Sequence, residues 1–438
     1  MNSTYDVLIV GAGNAAMCGA ISARERGAST LVLEKAPEYF RGGNTYFTGG
    51  IIRCAYDGIE DIKLLIPDLT PEEEASIDVG KYTQDDFYSD VMRVTEGLAD
   101  PEMAQLLVSE SHPTLLWLRQ RGVRFVLAFG RQAFKVGDKY RFWGGLLVES
   151  VGAGKGLSDA NSEMRTRYLG PGWELAKVRG VPYNTGDGIR MALDIGAQSF
   201  GHWSSCHAVA WDINAPPFGD RTITELYQKH SYPFGLIVNL DGKRFVDEGA
   251  DFRNYTYAAY GREILKQPLG AAFQIFDEKV KHLLRDEYRI AQVTMATTNT
   301  MEELADRLGI NREGLLKTVR EFNAAVQPGN FNPTVLDGKR TQGITPPKSN
   351  WALPIDTPPF LGYAVTCGIT FTFGGLKIDT RGQVLDTEGN AIPGLYAAGE
   401  LVGGLFYHNY AGGSGRAAGA VFGKLAGSSA AEDALKAK

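Results

Sequence analysis

The feature that most constrains the fold lies at the N-terminus, where an apolar run leads directly into a glycine-rich turn. Residues 6–10 (Asp-Val-Leu-Ile-Val) predict a strand buried on both faces of a parallel sheet. The turn at 11–16 (Gly-Ala-Gly-Asn-Ala-Ala) is followed by a helical stretch at 17–26 and by a second apolar run at 30–33, which ends in Glu34. Strand, glycine turn, helix, strand and acid in this order are typical of a dinucleotide-binding unit.

Each part of this unit has a chemical role. Gly11 permits the tight turn, Gly13 lets the backbone meet a pyrophosphate, and the helix start offers unpaired N–H groups to the phosphates. Glu34 is placed to accept hydrogen bonds from the ribose hydroxyls of an adenosine. The N-terminal residues expected to contact the cofactor are Gly11, Gly13, Asn14, Ala15, Glu34 and Lys35. The motif predicts a nucleotide site but leaves NAD and FAD both open.

Composition and charge exclude other classes of protein. A chain of 438 residues with 44% hydrophobic side chains buries a substantial core, and we expect two domains. The net charge of -6 provides no broad cationic surface for nucleic acid. Without a signal peptide or an apolar span that crosses a bilayer, we expect a cytoplasmic protein that is not integral to a membrane. The four cysteines form no metal or haem motif, and we expect them to be reduced and structural.

Glycine is the outlier of the composition. Its 53 residues cluster at 11–13, 42–50, 374–375 and 399–423. Because glycine has no side chain, such clusters predict that the backbone approaches a ligand closely at several separate places.

Motifs far apart in the chain decide for FAD. They are Arg-Gly-Gly-Asn-Thr at 41–45, Thr-Gly-Gly at 48–50, Gly-Gly-Leu-Lys-Ile-Asp at 374–379, Ile-Pro-Gly-Leu-Tyr-Ala-Ala-Gly-Glu at 392–400 and Tyr-Ala-Gly-Gly-Ser-Gly at 410–415. Together they resemble the fumarate reductase and succinate dehydrogenase flavoprotein superfamily, in which a distant C-terminal stretch returns to complete the FAD site. The resemblance implies FAD contacts at Gly42, Gly43, Asn44, Thr45, Thr48, Gly49, Gly50, Gly399, Glu400, Gly413, Ser414 and Gly415. Succinate dehydrogenases tether the flavin through a histidine where this chain has Gly43, so we expect non-covalent FAD.

The resemblance also implies the architecture. The expected fold is α/β, with a Rossmann-like FAD-binding domain of the glutathione-reductase type that is interrupted by an α+β capping domain. The first part of the FAD-binding domain is expected at 1–205, the capping domain at 206–369 and the C-terminal part at 370–438. Within the cap, residues 236–240 predict a strand, and leucines at helical spacing predict a helical segment over 301–325.

Within the superfamily the chain resembles the tricarballylate dehydrogenases. The resemblance rests on Asp-Glu-Gly-Ala-Asp-Phe-Arg-Asn-Tyr-Thr-Tyr at 247–257, Cys-His-Ala-Val-Ala-Trp-Asp at 206–212 and Phe-Tyr-His-Asn-Tyr at 406–410. Relative to these proteins, several dozen residues that help to hold the adenosine side are missing near Asp159. A true deletion would remove cover from the adenine end of FAD, whereas a segment missing only from this sequence would have no such consequence.

Arg253 is the first candidate for proton transfer. It matches the arginine that serves fumarate reductases as the active-site proton donor and acceptor. Arginine is a poor acid in water, so this role requires a closed site with a nearby carboxylate, for which Asp251 and Glu248 are candidates. A structural ion pair of Arg253 with one of these carboxylates is the alternative.

Three further side chains are candidates for binding the activating group of a substrate. His207 matches a histidine that hydrogen-bonds a substrate carboxylate in fumarate reductases, with a packing role as the alternative. His408 and Tyr410 precede the flavin-facing glycine loop, from which they are expected to reach an activating oxygen. Fumarate reductases have an arginine in place of Tyr410, whereas 3-ketosteroid dehydrogenases have a tyrosine that hydrogen-bonds the ketone.

Other positions lack the cations of the carboxylate enzymes. Thr-Phe-Thr-Phe at 370–373 replaces a second histidine, and Tyr46 and Phe47 stand where tricarballylate dehydrogenases have basic residues. These losses favour a less charged substrate such as an enone, a ring ketone or a monocarboxylate. Arg53 and Arg416 remain available to bind an acid, although we interpret both as solvated side chains.

These observations predict an FAD-dependent oxidoreductase that forms or reduces a C–C double bond next to a carboxyl or carbonyl group of a small-molecule substrate. A ketone-directed desaturase or ene-reductase is the first alternative, and a non-catalytic or vestigial flavin-binding protein is the second. The chain contains no haem or iron–sulfur motif, so we expect a separate electron donor or acceptor.

Overall fold

The computed structural model describes residues 4–142, 148–150, 155–156 and 162–438. The helices are α1 (Asn14–Glu25), α2 (Ile59–Leu65), α3 (Pro71–Ser76), α4 (Gln84–Val94), α5 (Pro101–Gln120), α6 (Phe129–Gln132), α7 (Ser162–Leu169), α8 (Asp187–Leu193), α9 (Tyr257–Leu265), α10 (Met301–Leu308), α11 (Arg312–Ala325) and α12 (Ser414–Lys436). The strands are β1 (Val7–Val10), β2 (Thr30–Leu33), β3 (Thr45–Tyr46), β4 (Ile51–Ile52), β5 (Ile77–Asp78), β6 (Phe125–Leu127), β7 (Ala133–Val136), β8 (Lys139–Phe142), β9 (Val148–Ser150), β10 (Lys155–Gly156), β11 (Lys177–Val178), β12 (Ser199–Asp212), β13 (Leu236–Val238), β14 (Ala272–Phe276), β15 (Met295–Thr298), β16 (Phe360–Leu376), β17 (Gln383–Leu385) and β18 (Ala391–Tyr396). The position near Asp159, where the sequence departs from the family, lies outside the described residues.

The N-terminal unit forms as its sequence predicts, with one exception. Strands β1 and β2 pair in parallel, and α1 connects them. The prediction that β1 is buried on both faces is wrong, since Leu8 is 58% and Val10 is 66% exposed. The reason is that Val7 and Ile9 pack against α1 and α12, and in a strand the alternate side chains then point away from these helices.

The largest sheet is organised around β16. This strand pairs antiparallel with β12, β14 and β15 and parallel with β11, while β13 extends the sheet beyond β14. The predicted domain boundaries at 205/206 and 369/370 fall inside β12 and β16, which pair with each other. In their register His207 lies opposite Phe371, so two segments that are distant in sequence meet at this point.

The elements predicted within residues 206–369 are present. Strand β13 ends at a turn in which the Gly242 N–H donates to the Asn239 carbonyl at 2.9 Å. The helical segment predicted over 301–325 consists of α10 and α11, because Gly309 ends α10 in a left-handed conformation at φ 70°. All four cysteines are buried and free, in agreement with the sequence. No helix among the described residues is long and apolar enough to cross a membrane.

Helices α1 and α12 cross at backbone contact distance. A Cβ atom on Gly427 would overlap the carbonyl of Gly19, and one on Gly423 would overlap the carbonyl of Ala15. At Gly375 a Cβ would likewise meet the backbone of Leu401. The predicted approach to a ligand therefore does not account for Gly375 and Gly423, where the absence of a side chain allows two pieces of backbone to pack together.

We expect Gly427→Ala to lower the free energy of unfolding by about 1–3 kcal/mol, because overpacking at a backbone contact outweighs the better helix propensity of alanine. Gly130→Ala is the control, since its Cβ would meet its nearest neighbour at an ordinary 3.7 Å. Urea unfolding of both variants measures the difference. Equal stability of the two variants would contradict the tight helix crossing.

Candidate active site

One cavity gathers side chains from distant parts of the chain. Of the predicted catalytic residues it is lined by His207, Arg253 and Tyr410, and of the predicted cofactor residues by Thr48, Gly399, Glu400, Gly413 and Gly415. Strand β12 provides His207, the 3-10 turn Arg253–Tyr255 provides Arg253, and the loop before α12 provides Tyr410. The structure therefore brings the predicted catalytic and flavin-facing segments to the same place.

The imidazole of His207 is held by aromatic rings. Its ring stacks on Phe371 at a centroid distance of 5.2 Å and meets the rings of Tyr410 and Tyr257 edge-on at 4.8 and 5.0 Å. Both ring nitrogens are buried without a partner among the described residues. Burial, and secondarily the charge of Arg179, lower the pKa of His207 well below its ordinary 6.5. The imidazole is therefore neutral at physiological pH and has one donor and one acceptor to offer.

A tyrosine that sequence reasoning missed supports Tyr410. The hydroxyl oxygens of Tyr257 and Tyr410 are 2.6 Å apart, and the Gly413 N–H donates to the Tyr410 hydroxyl at 3.3 Å. Burial raises the pKa of Tyr257 well above its ordinary 10.0, so this phenol stays protonated. The signal in the sequence is the position of Tyr257, four residues after Arg253 within the motif that carries the tricarballylate dehydrogenase resemblance.

Arg253 is buried on the cavity wall, while the two carboxylates proposed as its partners are engaged by other arginines. Glu248 forms an ion pair with Arg244 at 2.5 Å and accepts a hydrogen bond from the Ile237 N–H. Asp251 forms an ion pair with Arg93. Both carboxylates therefore have strong partners of their own, which weakens the case for either as the proton relay.

The structure places the predicted catalytic residue His408 beside His202. It is not among the described residues that line the cavity. Its backbone is left-handed at φ 56°, and its N–H donates to Nδ1 of His202 at 3.2 Å. This geometry packs the two imidazole rings together at 4.3 Å. The side chains of His408 and Tyr410 point in different directions, so the ring of His408 lies beside His202 while Tyr410 lines the cavity.

Of the two arginines interpreted as solvated, Arg53 is buried and Arg416 is only partly exposed. The Arg53 side chain is fully buried, and its Nε donates to the Gly412 carbonyl at 2.7 Å while Nη1 donates to the Tyr82 hydroxyl at 2.6 Å. Arg416 lines the cavity, and its Nε and Nη1 atoms are buried. Both positions depend on tertiary packing that the local sequence does not encode.

The predicted cofactor residues at the N-terminus surround the start of α1. Gly11 is left-handed at φ 101°, and the Asn14 N–H donates to Thr45 Oγ1 at 3.0 Å. The Glu34 carboxylate accepts hydrogen bonds from the backbone N–H groups of Ala12 and Ala36 at 3.0 and 2.8 Å. The acid therefore fixes the glycine turn and retains lone pairs for a ribose hydroxyl.

The remaining predicted contacts lie in two glycine-rich segments. Gly42, Gly43, Gly49 and Gly50 all have positive φ, as have Gly399 and Gly413. Asn44 is buried and accepts the Val181 N–H at 2.8 Å, and Glu400 accepts from Asn184 at 3.0 Å. A Cβ on Gly399 would lie 3.0 Å from the Cβ of Ala15, so the N-terminal and C-terminal segments touch here. Lys35 forms an exposed ion pair with Asp187 at 2.6 Å.

The cavity fits a bound cofactor on physical grounds. Buried polar atoms of His207, Thr370, Ser414 and Arg416 have no hydrogen-bond partner among the described residues, and three of these side chains line the cavity. Buried polar atoms in native proteins are nearly always paired, so these groups point to ligands. The helix starts at Asn14 and Ser414 add positive ends suited to phosphates or to an anionic ring.

Comparison with known proteins agrees with the predicted cofactor. The sequence matches the model of the FAD binding domain family over residues 6–143 and 144–416, which confirms FAD as the cofactor. The chain is 25% identical to an NADH:acrylate oxidoreductase of Vibrio harveyi over 99% of its own length and 51% of that protein. It is 25% identical to a fumarate reductase (cytochrome) of Shewanella frigidimarina over 99% of its own length and 78% of that protein. It is 29% identical to a 3-oxosteroid 1-dehydrogenase of Mycobacterium tuberculosis over 63% of its own length and 51% of that protein.

Two of these relatives are about twice as long as the aligned region, so the chain spans about half the length of several proteins that it matches.

Solved structures share the fold. A flavocytochrome c3 fumarate reductase gives a TM-score of 0.67 at 24% identity and covers 99% of this chain and 79% of its own. A 3-ketosteroid delta1-dehydrogenase of Sterolibacterium denitrificans gives a TM-score of 0.68 at 18% identity and covers 98% of this chain and 99% of its own. The fold is thus the mixed α/β fold of the fumarate reductase-like flavoproteins.

The depressed pKa of His207 predicts a pH effect on stability. Below its ordinary 6.5 the unfolded chain binds a proton that the folded chain does not, so stability falls as the pH falls. The slope from this residue is at most about 1.4 kcal/mol per pH unit. His207→Phe should flatten the acid limb of an unfolding curve of the apoprotein, whereas His282→Gln, at an exposed position, should not. An unchanged limb in His207→Phe would contradict the neutral, buried imidazole.

Proposed function

The chain belongs to the FAD binding domain family, and from this premise we propose that it is an FAD-dependent oxidoreductase that forms or reduces a C–C double bond next to a carboxyl or carbonyl group. The observation that carries the proposal is the convergence of His207, Arg253 and Tyr410 on one cavity with the flavin-facing glycines. The names of the relatives support it, because acrylate and fumarate contain such a bond and a 3-oxosteroid carries the carbonyl.

The side chains divide the chemistry among themselves. FAD, when bound, supplies hydride exchange with one carbon of the C–C bond. Arg253, which is buried on the cavity wall, gives or takes the proton at the other carbon. His207 and Tyr410 hold the activating oxygen and stabilise the negative charge that develops on it. The aromatic walls exclude water from this step.

A ketone-directed reaction is the second candidate, and the Tyr257–Tyr410 hydrogen bond favours it. If Tyr257 donates to Tyr410, the Tyr410 oxygen accepts from both Tyr257 and Gly413, and its own proton is directed to an acceptor in the cavity. A neutral donor suits a carbonyl oxygen. A tricarballylate dehydrogenase-like reaction would need the most cationic side chains in the site to bind its substrate. The motif around Arg253 supports this form of the proposal.

The proposal includes the domain organisation and the partners. Residues 206–369 would form a cap over a non-covalently bound FAD, with 1–205 and 370–438 as the FAD-binding domain. The electron donor or acceptor would be a separate molecule. Gly43 at the position of the tethering histidine supports the non-covalent state, and acid precipitation that releases free FAD would test it.

Anaerobic flavin reoxidation tests the reaction. Protein loaded with FAD and reduced with dithionite is mixed with acrylate, fumarate or an α,β-unsaturated ketone, and the return of flavin absorbance is followed. We expect at least one compound to reoxidise the wild-type flavin. In Arg253→Gln we expect the reoxidation rate to fall about 100-fold or more, because general acid catalysis typically accelerates a reaction by at least about this factor. FAD absorbance should be retained.

Arg320→Gln is the control for this experiment, because Arg320 is exposed on α11. A wild type that binds FAD, but whose reduced flavin is reoxidised by none of these compounds and whose oxidised flavin is not reduced by tricarballylate, would instead support a non-catalytic flavin-binding protein. Full turnover in Arg253→Gln would overturn the proton-transfer role.

The tyrosine pair predicts a distinct pattern of rates with an unsaturated ketone. Tyr410→Phe removes a donor to the developing charge and should lower kcat about 100-fold. Tyr257→Phe should lower kcat about tenfold with little change in KM, and the double variant should resemble Tyr410→Phe alone, since Tyr257 acts through its partner. Tyr39→Phe, at an exposed position, is the control. Additive losses in the double variant would contradict the supporting role of Tyr257.

A further inference from the structure

Arg416 presents unused hydrogen-bond donors to the cavity. It lies in the first turn of α12, and its carbonyl accepts a hydrogen bond from Asn14 Nδ2 at 3.0 Å, which fixes its backbone beside the start of α1. Its Nε and Nη1 atoms are buried and have no acceptor in the part of the chain that the structure describes. Two buried donors without an acceptor are rare, because burial removes their hydration without replacing it.

The charge of this guanidinium is opposed only by carboxylates that do not form an ion pair with it among the described residues. Burial lowers the pKa of Arg416 to about 10, against the smaller opposing effects of Cys18, Glu225 and Glu149. The side chain is therefore still cationic at neutral pH. No ion pair within 4.0 Å joins Arg416 to a carboxylate of the described residues. The two glutamates act on it only through space.

The helix that carries Arg416 adds a second positive electrostatic contribution at the same place. Helix α12 has 23 residues, and its N-cap Gly413 provides no side-chain acceptor for the first N–H groups. The positive end of the helix dipole therefore lies within one turn of the arginine. Nearby, the Ser414 hydroxyl is buried without a partner among the described residues. A cation, a helix start and a hydroxyl thus converge beside a cavity that also holds the unpaired imidazole of His207.

We propose that Arg416 is a binding residue for an anionic oxygen group held in this cavity. Two sources provide such a group: the phosphates or the reduced ring of FAD, and a carboxylate of the substrate. The position of Arg416, directly after the flavin-facing Gly413-Ser414-Gly415, favours the cofactor. The inference rests on the proposed FAD site but not on the proposed reaction.

FAD affinity is the first arm of the test. Apoprotein is titrated with FAD, and quenching of flavin fluorescence gives the dissociation constant at low and high salt. We expect Arg416→Met to weaken FAD binding at least about tenfold at low salt and to reduce its salt dependence, because one charge-assisted contact is lost. Arg416→Lys should recover part of the affinity. Arg320→Met is the matched control at an exposed arginine.

Carboxylate affinity is the second arm. FAD-loaded protein is titrated with acrylate, fumarate and an unsaturated ketone, and the perturbation of the flavin spectrum reports binding. If the anion is a substrate carboxylate, Arg416→Met weakens the binding of the acids at least about tenfold and leaves the ketone and FAD affinities unchanged. Circular dichroism and the unfolding midpoint establish that each variant is folded, and Arg416→Gln replaces Arg416→Met if the latter is not.

Unchanged affinities of Arg416→Met for FAD and for both acids would overturn the assignment of Arg416 while leaving the proposed function intact. A wild-type protein that binds neither FAD nor these acids would overturn the proposed function and this inference together. The two failures are therefore distinguishable by the behaviour of the wild type.

Discussion

The crossing of α1 and α12 is the constraint on which the site depends. The glycine turn at 11–13 leads into α1 and the loop at 410–413 leads into α12, and the two helix starts must meet although about 400 residues separate them. Gly423 and Gly427 allow this because the backbones of α1 and α12 touch without side chains between them. The Asn14 side chain then fixes the register by its hydrogen bond to Arg416. Two positive helix ends consequently face one place, which is what an anionic cofactor requires.

A buried arginine holds the other side of the site. Arg53 binds the carbonyl of Gly412 and the hydroxyls of Tyr82 and Tyr255, so it connects the N-terminal region, the loop before α12 and the turn that begins with Arg253. Asp90 lies 3.8 Å from its guanidinium and accepts from both tyrosine hydroxyls. Hydrogen bonds of this kind offset the cost of burying a charge. The position of Arg253 therefore depends on residues that never reach the cavity.

The sequence predicted what is encoded locally or by a motif, and missed what depends on contacts across the fold. Strand, turn, helix and acid at the N-terminus follow from spacing, and His207, Arg253 and Tyr410 follow from motifs. Glycine, however, serves equally for close approach to a ligand and for close approach of two helices, so the role of Gly427 was not readable. The ring direction of His408 depends on a left-handed backbone, and the burial of Arg53 depends on segments far away in the chain. Each of these features depends on tertiary packing rather than on amino-acid composition or hydrophobic periodicity.

The distribution of charge in the cavity bears on what it is built to stabilise. A cation binds a carboxylate in the ground state and in the transition state almost equally, and such uniform binding does not accelerate chemistry. A neutral hydrogen-bond donor lowers the activation barrier most where negative charge appears on its acceptor only during the reaction. The donors that meet at His207 are neutral, since burial keeps the imidazole unprotonated and the Tyr257 phenol protonated. Arg416, by contrast, is a permanent cation on the loop side of the cavity. In the proposed reaction, the neutral donors suit an oxygen that becomes negative only in the transition state, and the Arg416 cation suits the proposed group that is anionic throughout.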